Sequence, residues 1–443
     1  MKSTSTTSAP KLRDTRVLAA YVIMAVTQEG HSLNEALPAA RDKAPANERG
    51  LLAELCYGSL RHFYELDALT QLLMQTPLHE KDAEVQALLL VGLYQLRYMR
   101  LAEHAAVNQT VNASKVLNKP WAVKLVNGVL RNYLRRAAEL NLALEKNPLA
   151  HYNHPQWLIN IIEQAWPAQA PSVFAANNQQ GGMSLRVNVR QNSVADYQTQ
   201  LAMADINSTP SPIAPQALQL AEPKAVDALP GFFDGHCSVQ DIAAQLCAPL
   251  LQLAPGLRVL DACCAPGGKT GHILETEPAL AELVSVDNEA PRLIRLRENL
   301  ARLHLQATVI CADVAEPKSW HKGSLYDRIL LDAPCSGTGV ISRHPDIKHL
   351  RRESDITPLA ERQQQMLDVL WPLLKTGGTL LYTTCSVLPQ ENEAVIAAFL
   401  RQHPDAHALT IKENWGITQP HGRQLLPTAN NDGFYFARLC KSG

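Results

Sequence analysis

Residues Val259–Thr270 read VLDACCAPGGKT, and the fold turns on how this stretch is read. Arg258–Ala262 is a short buried strand, Cys263–Gly268 a loop, and a helix is expected to begin near Lys269. A strand ending in a glycine-bearing turn that opens a helix lets backbone N–H groups approach a ligand closely. About twenty residues further on, Leu283–Val286 forms a second strand ending in Asp287, whose carboxylate can take two ribose hydroxyls. That pairing points to a nucleoside cofactor. A phosphate-binding loop of the form GxxxxGK[ST] needs glycine at position 263, which is Cys, and Pro266 removes one N–H donor. The loop taken alone also allows a plain strand–helix turn. With a ribose-binding acid but no phosphate pattern, it suits a cofactor lacking a pyrophosphate, S-adenosylmethionine.

The chain has 443 residues, enough for about three domains. Its net charge is −1, so any binding of nucleic acid must come from local basic patches and not from a global field. Nine cysteines include no CxxC pair, which excludes a zinc ribbon, a thioredoxin-type site and a disulfide framework, and no metal site is expected. The N-terminus MKSTSTTSAPKLRD has no apolar core and is no signal peptide. Apolar runs such as Val17–Val26 are too short to span a bilayer. A cytoplasmic protein with free thiols is expected.

Residues 1–10 are expected to be disordered. From 11 to 146 the pattern is helical almost throughout, as in Val17, Leu18, Tyr21, Val22 and Ala25, and six or seven helices are expected. Between Glu103 and Glu139 lie Lys115, Lys119, Lys124, Arg131, Arg135 and Arg136 with no acid among them. This run is either a solvated helix face or a phosphate-binding surface. Residues 147–238 are richer in Pro, Asn and Gln and suggest a small α/β connector, with a helix at Pro155–Trp166 and strands at Ser184–Val189 and Ala217–Leu220. Phe233–Leu246 is expected to become an amphipathic helix. From 239 to 443 strands and helices alternate, which implies a doubly wound, mostly parallel sheet. Helices are expected at Pro291–Leu303, Pro358–Leu374 and Gln390–Gln402, and strands at Arg328–Leu331, Thr379–Thr383 and Gly433–Leu439. The candidate residues fall at the carboxyl ends of the strands, where such folds bind ligands: the 263–269 loop, Asp287, Asp313, Asp332 and Cys385.

Two cysteines sit where a reacting group belongs. One strand runs out into Asp332-Ala-Pro-Cys335-Ser-Gly-Thr-Gly339, the other into Thr384-Cys385-Ser386. A lone Cys at a strand end is usually a small buried hydrophobe. Two at strand ends that the topology makes neighbours, beside a cofactor loop, suit a specific chemistry. Carbon 5 of cytosine is a poor nucleophile until a thiolate adds at carbon 6. A carboxylic acid at the N3 edge stabilises that adduct, and a second thiol can assist its breakdown. Methylation of an exocyclic amine needs no thiol, and such enzymes carry (N/D)PP(Y/F) where this chain reads Asp332-Ala-Pro-Cys335.

The set CCAPGGKT, DAPCSGTG and TTCSVLPQENE, with GRQLLPTANNDGFYFA near the end, is similar to the RNA cytosine-5 methyltransferases of the Sun/NOL family over about 232–439. Lys124–Leu130, KLVNGVL, with Ala106–Lys115 before it, resembles the NusB family of all-α RNA-binding domains. That order of domains is similar to the bacterial members acting on 16S ribosomal RNA. The resemblance implies an α/β fold: a Rossmann-like class I S-adenosylmethionine-dependent methyltransferase domain preceded by a NusB-like domain and the connector. It implies Cys385 as nucleophile, Cys335 as the release group, Asp332 on the base near the methyl donor and Lys269 beside the base. Cofactor residues carried over are Cys264, Ala265, Pro266, Gly267, Gly268, Lys269, Thr270, Asp287, Arg292, Asp313 and Asp332. Cys264 stands where many relatives have Ala and is expected to shape the loop without reacting.

RNA contacts are expected from Lys115, Lys119, Lys124, Arg131 and Arg135. The expected partner is 16S ribosomal RNA, naked or in an early particle, with neither DNA nor membrane, acting as a monomer. Two other readings stay open: Cys335 as the attacking thiol, as in DNA cytosine-5 methyltransferases, and an RNA-binding assembly factor with an inactive catalytic domain. His344, Asp346 and His349–Arg352 suit either the wall of an RNA cleft or a polar loop.

Overall fold

A computed structural model describes residues 13–443, so the expectation for 1–10 lies outside the described residues. The chain divides into two compact units. One comprises the chain up to Glu163 with His344–Arg352; the other comprises Gln164–Arg343 with Glu353–Gly443.

The first unit is all helical. Its helix Ala83–Tyr98 is buried along most of its length, and Leu88, Leu89, Leu90, Val91 and Leu93 form the centre of the core. Helices Thr15–Thr27, Arg49–Arg61, Glu103–Val116 and Pro120–Glu145 pack against it. The last starts with Pro120, which needs no N–H there, and buries Ala122, Val126, Val129, Leu130 and Tyr133 on one stripe. The helical unit extends past the boundary expected at residue 146. Helix Pro148–Tyr152 packs on Phe63–Leu73 and Pro120–Glu145, and the Asn153 carbonyl accepts a hydrogen bond within this unit.

Asp346, Lys348 and His349 of the segment 344–352 pack into the helical unit. Asp346 accepts the Leu33 N–H at 3.0 Å at the start of helix Leu33–Lys43. Lys348 is fully buried and donates to the carbonyls of Arg61 and Asn153 at 3.0 and 2.8 Å. The ring of His349 packs edge-on to Phe63 and stacks on Tyr64. Three polar side chains thereby satisfy backbone groups that the helices leave open.

The second unit holds two sheets. The smaller is antiparallel, in the order β2 (Ser208–Pro210), β3 (Ala217–Leu220), β1 (Ser184–Val187), β4 (Cys237–Val239). The amphipathic helix expected at Phe233–Leu246 is replaced by β4 and two single-turn helices, Ile242–Gln245 and Cys247–Leu250. The reason is local. Cys237 and Val239 pair with Val187 and Leu185 across the sheet, and Asp241 caps the Ala243 N–H, so helix cannot start before it.

In the larger sheet β5 (Arg258–Ala262), β6 (Glu282–Asp287), β7 (Thr308–Cys311), β8 (Tyr326–Asp332) and β9 (Leu374–Thr384) run parallel in the order β9-β8-β5-β6-β7. β10 (Ala406–Leu409), β11 (Ile417–Thr418), β12 (Arg423–Leu425) and β13 (Phe434–Lys441) extend it antiparallel beyond β9. Val259, Leu330, Leu381 and Phe436 face one hydrophobic layer, while Leu260, Ile329, Leu380 and Ala437 face the other, the two-sided burial of a doubly wound sheet. The helix expected to reach Leu374 ends at Leu370, because Pro372 breaks it and β9 already begins at Leu374. The strand order reverses between β5 and β8, which makes their carboxyl ends the ligand crevice. Among the described residues no helix is long and apolar enough to cross a membrane.

Candidate active site

The loop after β5 is clamped from four directions. Gly267, at φ 97°, adopts a left-handed conformation, and a Cβ there would lie 2.8 Å from the Leu296 side chain. Asp287 accepts the N–H groups of Ala265 and Glu289, one on each oxygen, both at 3.0 Å. Arg292 donates to the Ala265 carbonyl at 2.6 Å and Asn299 to that of Pro266 at 3.3 Å. Arg186, reaching in from β1, donates to the Gly268 carbonyl at 2.8 Å while a buried two-bond pair with Glu275 holds it. Asp287 and Arg292 therefore shape the loop as well as bordering it. Arg186 was not foreseen, since a single Arg in a connector strand carries no sequence signal.

Burial pushes the Cys263 and Cys264 thiols up, which makes them poor nucleophiles. Thr270 donates its hydroxyl to Asp261 at 2.6 Å, and burial pushes the Asp261 carboxyl up to about 7. Beyond β7, Asp313 is gripped by Arg362 at 2.6 Å on both oxygens. Its burial works against the charge, but Arg362 holds the carboxyl below its ordinary value. Arg362, on helix Ile356–Leu370, is a second residue that sequence reasoning missed.

The reactive groups converge at the ends of β8 and β9. These strands pair in parallel with Asp332 opposite Thr383, so both chains leave the sheet side by side. Cys335 and Cys385 then come to 3.3 Å between sulfurs. The hydrogen bond to Cys385, with burial adding, holds the Cys335 thiol well above its ordinary range. Lys269 reaches across from the helix after β5 and pairs with Asp332 at 2.7 Å. Burial disfavours its charge, but Asp332 outweighs that and keeps the ammonium above its usual range. The Phe434 ring lies 5.2 Å from the Lys269 nitrogen. Gly339 is wedged behind the thiols: its N–H donates to the Cys385 carbonyl at 2.9 Å, and a Cβ would lie 2.1 Å from the Gly433 carbonyl oxygen. Cys335, Cys385, Asp332 and Lys269 thus form one cluster. Among the described residues no group of His, Cys, Asp and Glu is arranged to hold a metal ion.

The basic residues of the helical unit do not form one surface. Lys124, Arg131 and Arg135 are exposed on one face of helix Pro120–Glu145, and Lys115 is exposed near the end of the preceding helix. None of these four has a salt bridge among the described residues, although Lys115 bonds Asn112 and Arg131 bonds Asn127. Lys119 differs. It pairs with Asp82 at 2.7 Å and Glu84 at 2.6 Å, acids from another element that the linear charge run does not reveal. Arg136 is likewise paired, with Glu139.

Comparison with known proteins agrees with this architecture. Residues 248–440 match the family described as 16S rRNA methyltransferase RsmB/F, residues 13–135 the NusB family, and residues 154–227 the ferredoxin-like domain of RsmF/B-like methyltransferases. Ribosomal RNA small subunit methyltransferase B of Pseudomonas putida is 50% identical over 96% of this chain and 98% of its own length. The protein of the same name from Vibrio cholerae is 46% identical over 97% and 98%. Among solved structures, PH0851 superposes with a TM-score of 0.79 at 22% identity over 98% of this chain and 99% of its own. A methyltransferase homolog from Pyrococcus horikoshii gives 0.59 at 27% identity over 66% and 97%.

Proposed function

Because the chain belongs to the ribosomal RNA small subunit methyltransferase B family, we propose that it methylates carbon 5 of a cytosine in 16S ribosomal RNA through a covalent adduct on Cys385. The observation that carries this reading is the pair of thiols 3.3 Å apart beside the Lys269–Asp332 pair. A methyltransferase acting on an exocyclic amine has no use for either thiol.

The donor set fits S-adenosylmethionine. The cations around the loop, Arg186, Arg292 and Lys269, are each engaged by a carbonyl or a carboxylate, which suits a cofactor without a pyrophosphate. Residues 264–270 with Asp287 and Asp313 would hold it, and when bound it supplies a methyl group on a sulfonium. The chain's own residues do the rest. Cys385 gives up its thiol proton to the Asp332 carboxylate, forms a bond to carbon 6 and pushes the ring electrons to carbon 5, which becomes nucleophilic. Asp332, kept beside the Lys269 ammonium, holds a proton at the N3 edge of the adduct. Cys335 keeps its proton while Cys385 is free. Once the Cys385 sulfur is bonded to carbon, that contribution is gone and Cys335 releases its proton to solvent. Its thiolate then takes the carbon-5 proton, the carbon 5–carbon 6 double bond re-forms, and Cys385 leaves as a thiolate.

The target base must leave its stack to expose carbon 6. The helical unit and the small antiparallel sheet domain hold the RNA, with Lys115, Lys124, Arg131 and Arg135 on backbone phosphates, and the larger sheet domain carries out the chemistry. The protein acts on RNA as a cytoplasmic monomer. The test is to incubate the protein with methyl-labelled S-adenosylmethionine and unmodified small-subunit RNA, digest to nucleosides and identify the label by mass spectrometry. Label in 5-methylcytidine is expected; label in an N-methylated nucleoside contradicts the chemistry.

A further inference from the structure

We propose that Glu391 is a positioning residue that ties the two cysteine loops together and sets the distance between their sulfurs. Glu391 lies between β9 and helix Glu393–Gln402 and is fully buried. It touches neither thiol. One carboxylate oxygen accepts the Ser336 N–H at 2.7 Å and the Gln363 amide at 3.2 Å. The other accepts the hydroxyls of Ser336 at 2.5 Å and Ser386 at 2.6 Å. Ser336 directly follows Cys335, and Ser386 directly follows Cys385. A single carboxylate therefore grips the residue after each thiol, and Gln363 extends the grip to the Pro334 carbonyl at 3.0 Å.

The arrangement demands an acceptor at both ends. Two serine hydroxyls and one backbone N–H all donate to Glu391, and an ionised carboxylate is the acidic side chain's acceptor-only form. An amide of the same shape turns one end into a donor and faces donors with it. A buried charge retained for packing alone is costly, whereas one that accepts three hydrogen bonds from two loops and a fourth from a neighbouring helix fixes those loops in one geometry. Thr338 completes the brace: its hydroxyl lies 3.1 Å from that of Ser386 and accepts the Val387 N–H at 3.1 Å. The negative charge of Glu391 also helps to keep Cys335 protonated.

The role in release rests on the two-thiol reading, but the spacing can be tested without it. Wild type, Glu391→Gln and Ser386→Ala are treated with diamide, which takes up two electrons and two protons as a disulfide closes. Peptide mass mapping follows the Cys335–Cys385 link, with S-adenosylmethionine affinity measured on each protein. We expect Glu391→Gln to close the link at least tenfold more slowly than wild type and Ser386→Ala to fall between, with cofactor affinity within twofold. Turnover of Glu391→Gln should fall through kcat with KM for RNA unchanged, and its RNA adduct should persist longer. Equal closure rates in all three proteins, or a wild type that does not close, would overturn the proposal. So would a loss of cofactor affinity as large as the loss of turnover, which is what general unfolding gives. If wild type forms no adduct, the two-thiol reading fails while the closure rates still decide the role of Glu391.

Discussion

At the ends of β8 and β9, the polar groups hold one another in a network: Lys269 by Asp332, Cys335 by Cys385, and both serines by Glu391. On helix Pro120–Glu145, Lys124, Arg131 and Arg135 are exposed to solvent, and no acid engages them among the described residues. The first region is a buried network in which removing one member leaves another unsatisfied. The second is a set of exposed charges that act independently, through a field that salt screens. Perturbations should therefore be large and coupled in the first region, and small and additive in the second.

The comparison breaks most visibly if the network tolerates loss of a member. Asp332→Ala should lower kcat by about 10²–10⁴-fold, as expected for a positioned acid–base group, and should also lower the melting temperature, because it leaves the Lys269 ammonium without its partner. Steady-state methyl transfer with a parallel melting curve checks this. Arg186→Ala leaves the Glu275 charge buried without its partner and should cost about 3–5 kcal/mol, read by urea unfolding. Because the same guanidinium supports the Gly268 carbonyl, weakened cofactor binding should accompany that loss.

A smaller effect concerns pH. Asp261 is raised to about 7 by burial, so between its unfolded value near 3.9 and that figure the folded state binds more protons than the unfolded state. Its contribution to stability is complete below the lower value and is lost as pH rises through about 7. Asp261→Asn should flatten the fall in stability between those limits, and an unchanged slope in urea unfolding at several pH values would assign the pH dependence elsewhere. Smallest of all are the exposed cations. Lys124→Ala and Arg131→Ala should each reduce the salt slope of RNA binding by about one. Lys119→Ala should leave that slope unchanged, because Asp82 and Glu84 already neutralise it. Fluorescence anisotropy with small-subunit RNA over a salt series separates these outcomes.

The two regions also differ in how much of them could be read from sequence. The strand–loop–helix at 258–276 and the thiols at strand ends declare themselves because the backbone that positions them is local: strand, turn and glycine lie within a few residues. The parallel order then makes Cys335 and Cys385 neighbours. What pairs with Lys119, what grips Asp313 and what supports Gly268 were hidden, since Asp82, Glu84, Arg362 and Arg186 lie on other elements. Phe233–Leu246 misled for the same reason. Its spacing suits a helix, but β1 supplies a strand partner that local pattern does not show. The segment 344–352 has a polar, basic composition that suits a surface, yet Lys348 and His349 are committed to carbonyls and rings of the helical unit.

The central claim is that the two thiols have distinct duties, with Cys385 attacking the base and Cys335 releasing it. The most direct measurement is covalent trapping. Wild type, Cys385→Ala and Cys335→Ala are incubated with S-adenosylmethionine and small-subunit ribosomal RNA and resolved on denaturing gels. Accumulation of a stable protein–RNA adduct with Cys335→Ala, and none with Cys385→Ala, is the predicted result. An adduct that persists in Cys385→Ala and vanishes in Cys335→Ala would contradict it and exchange the two roles.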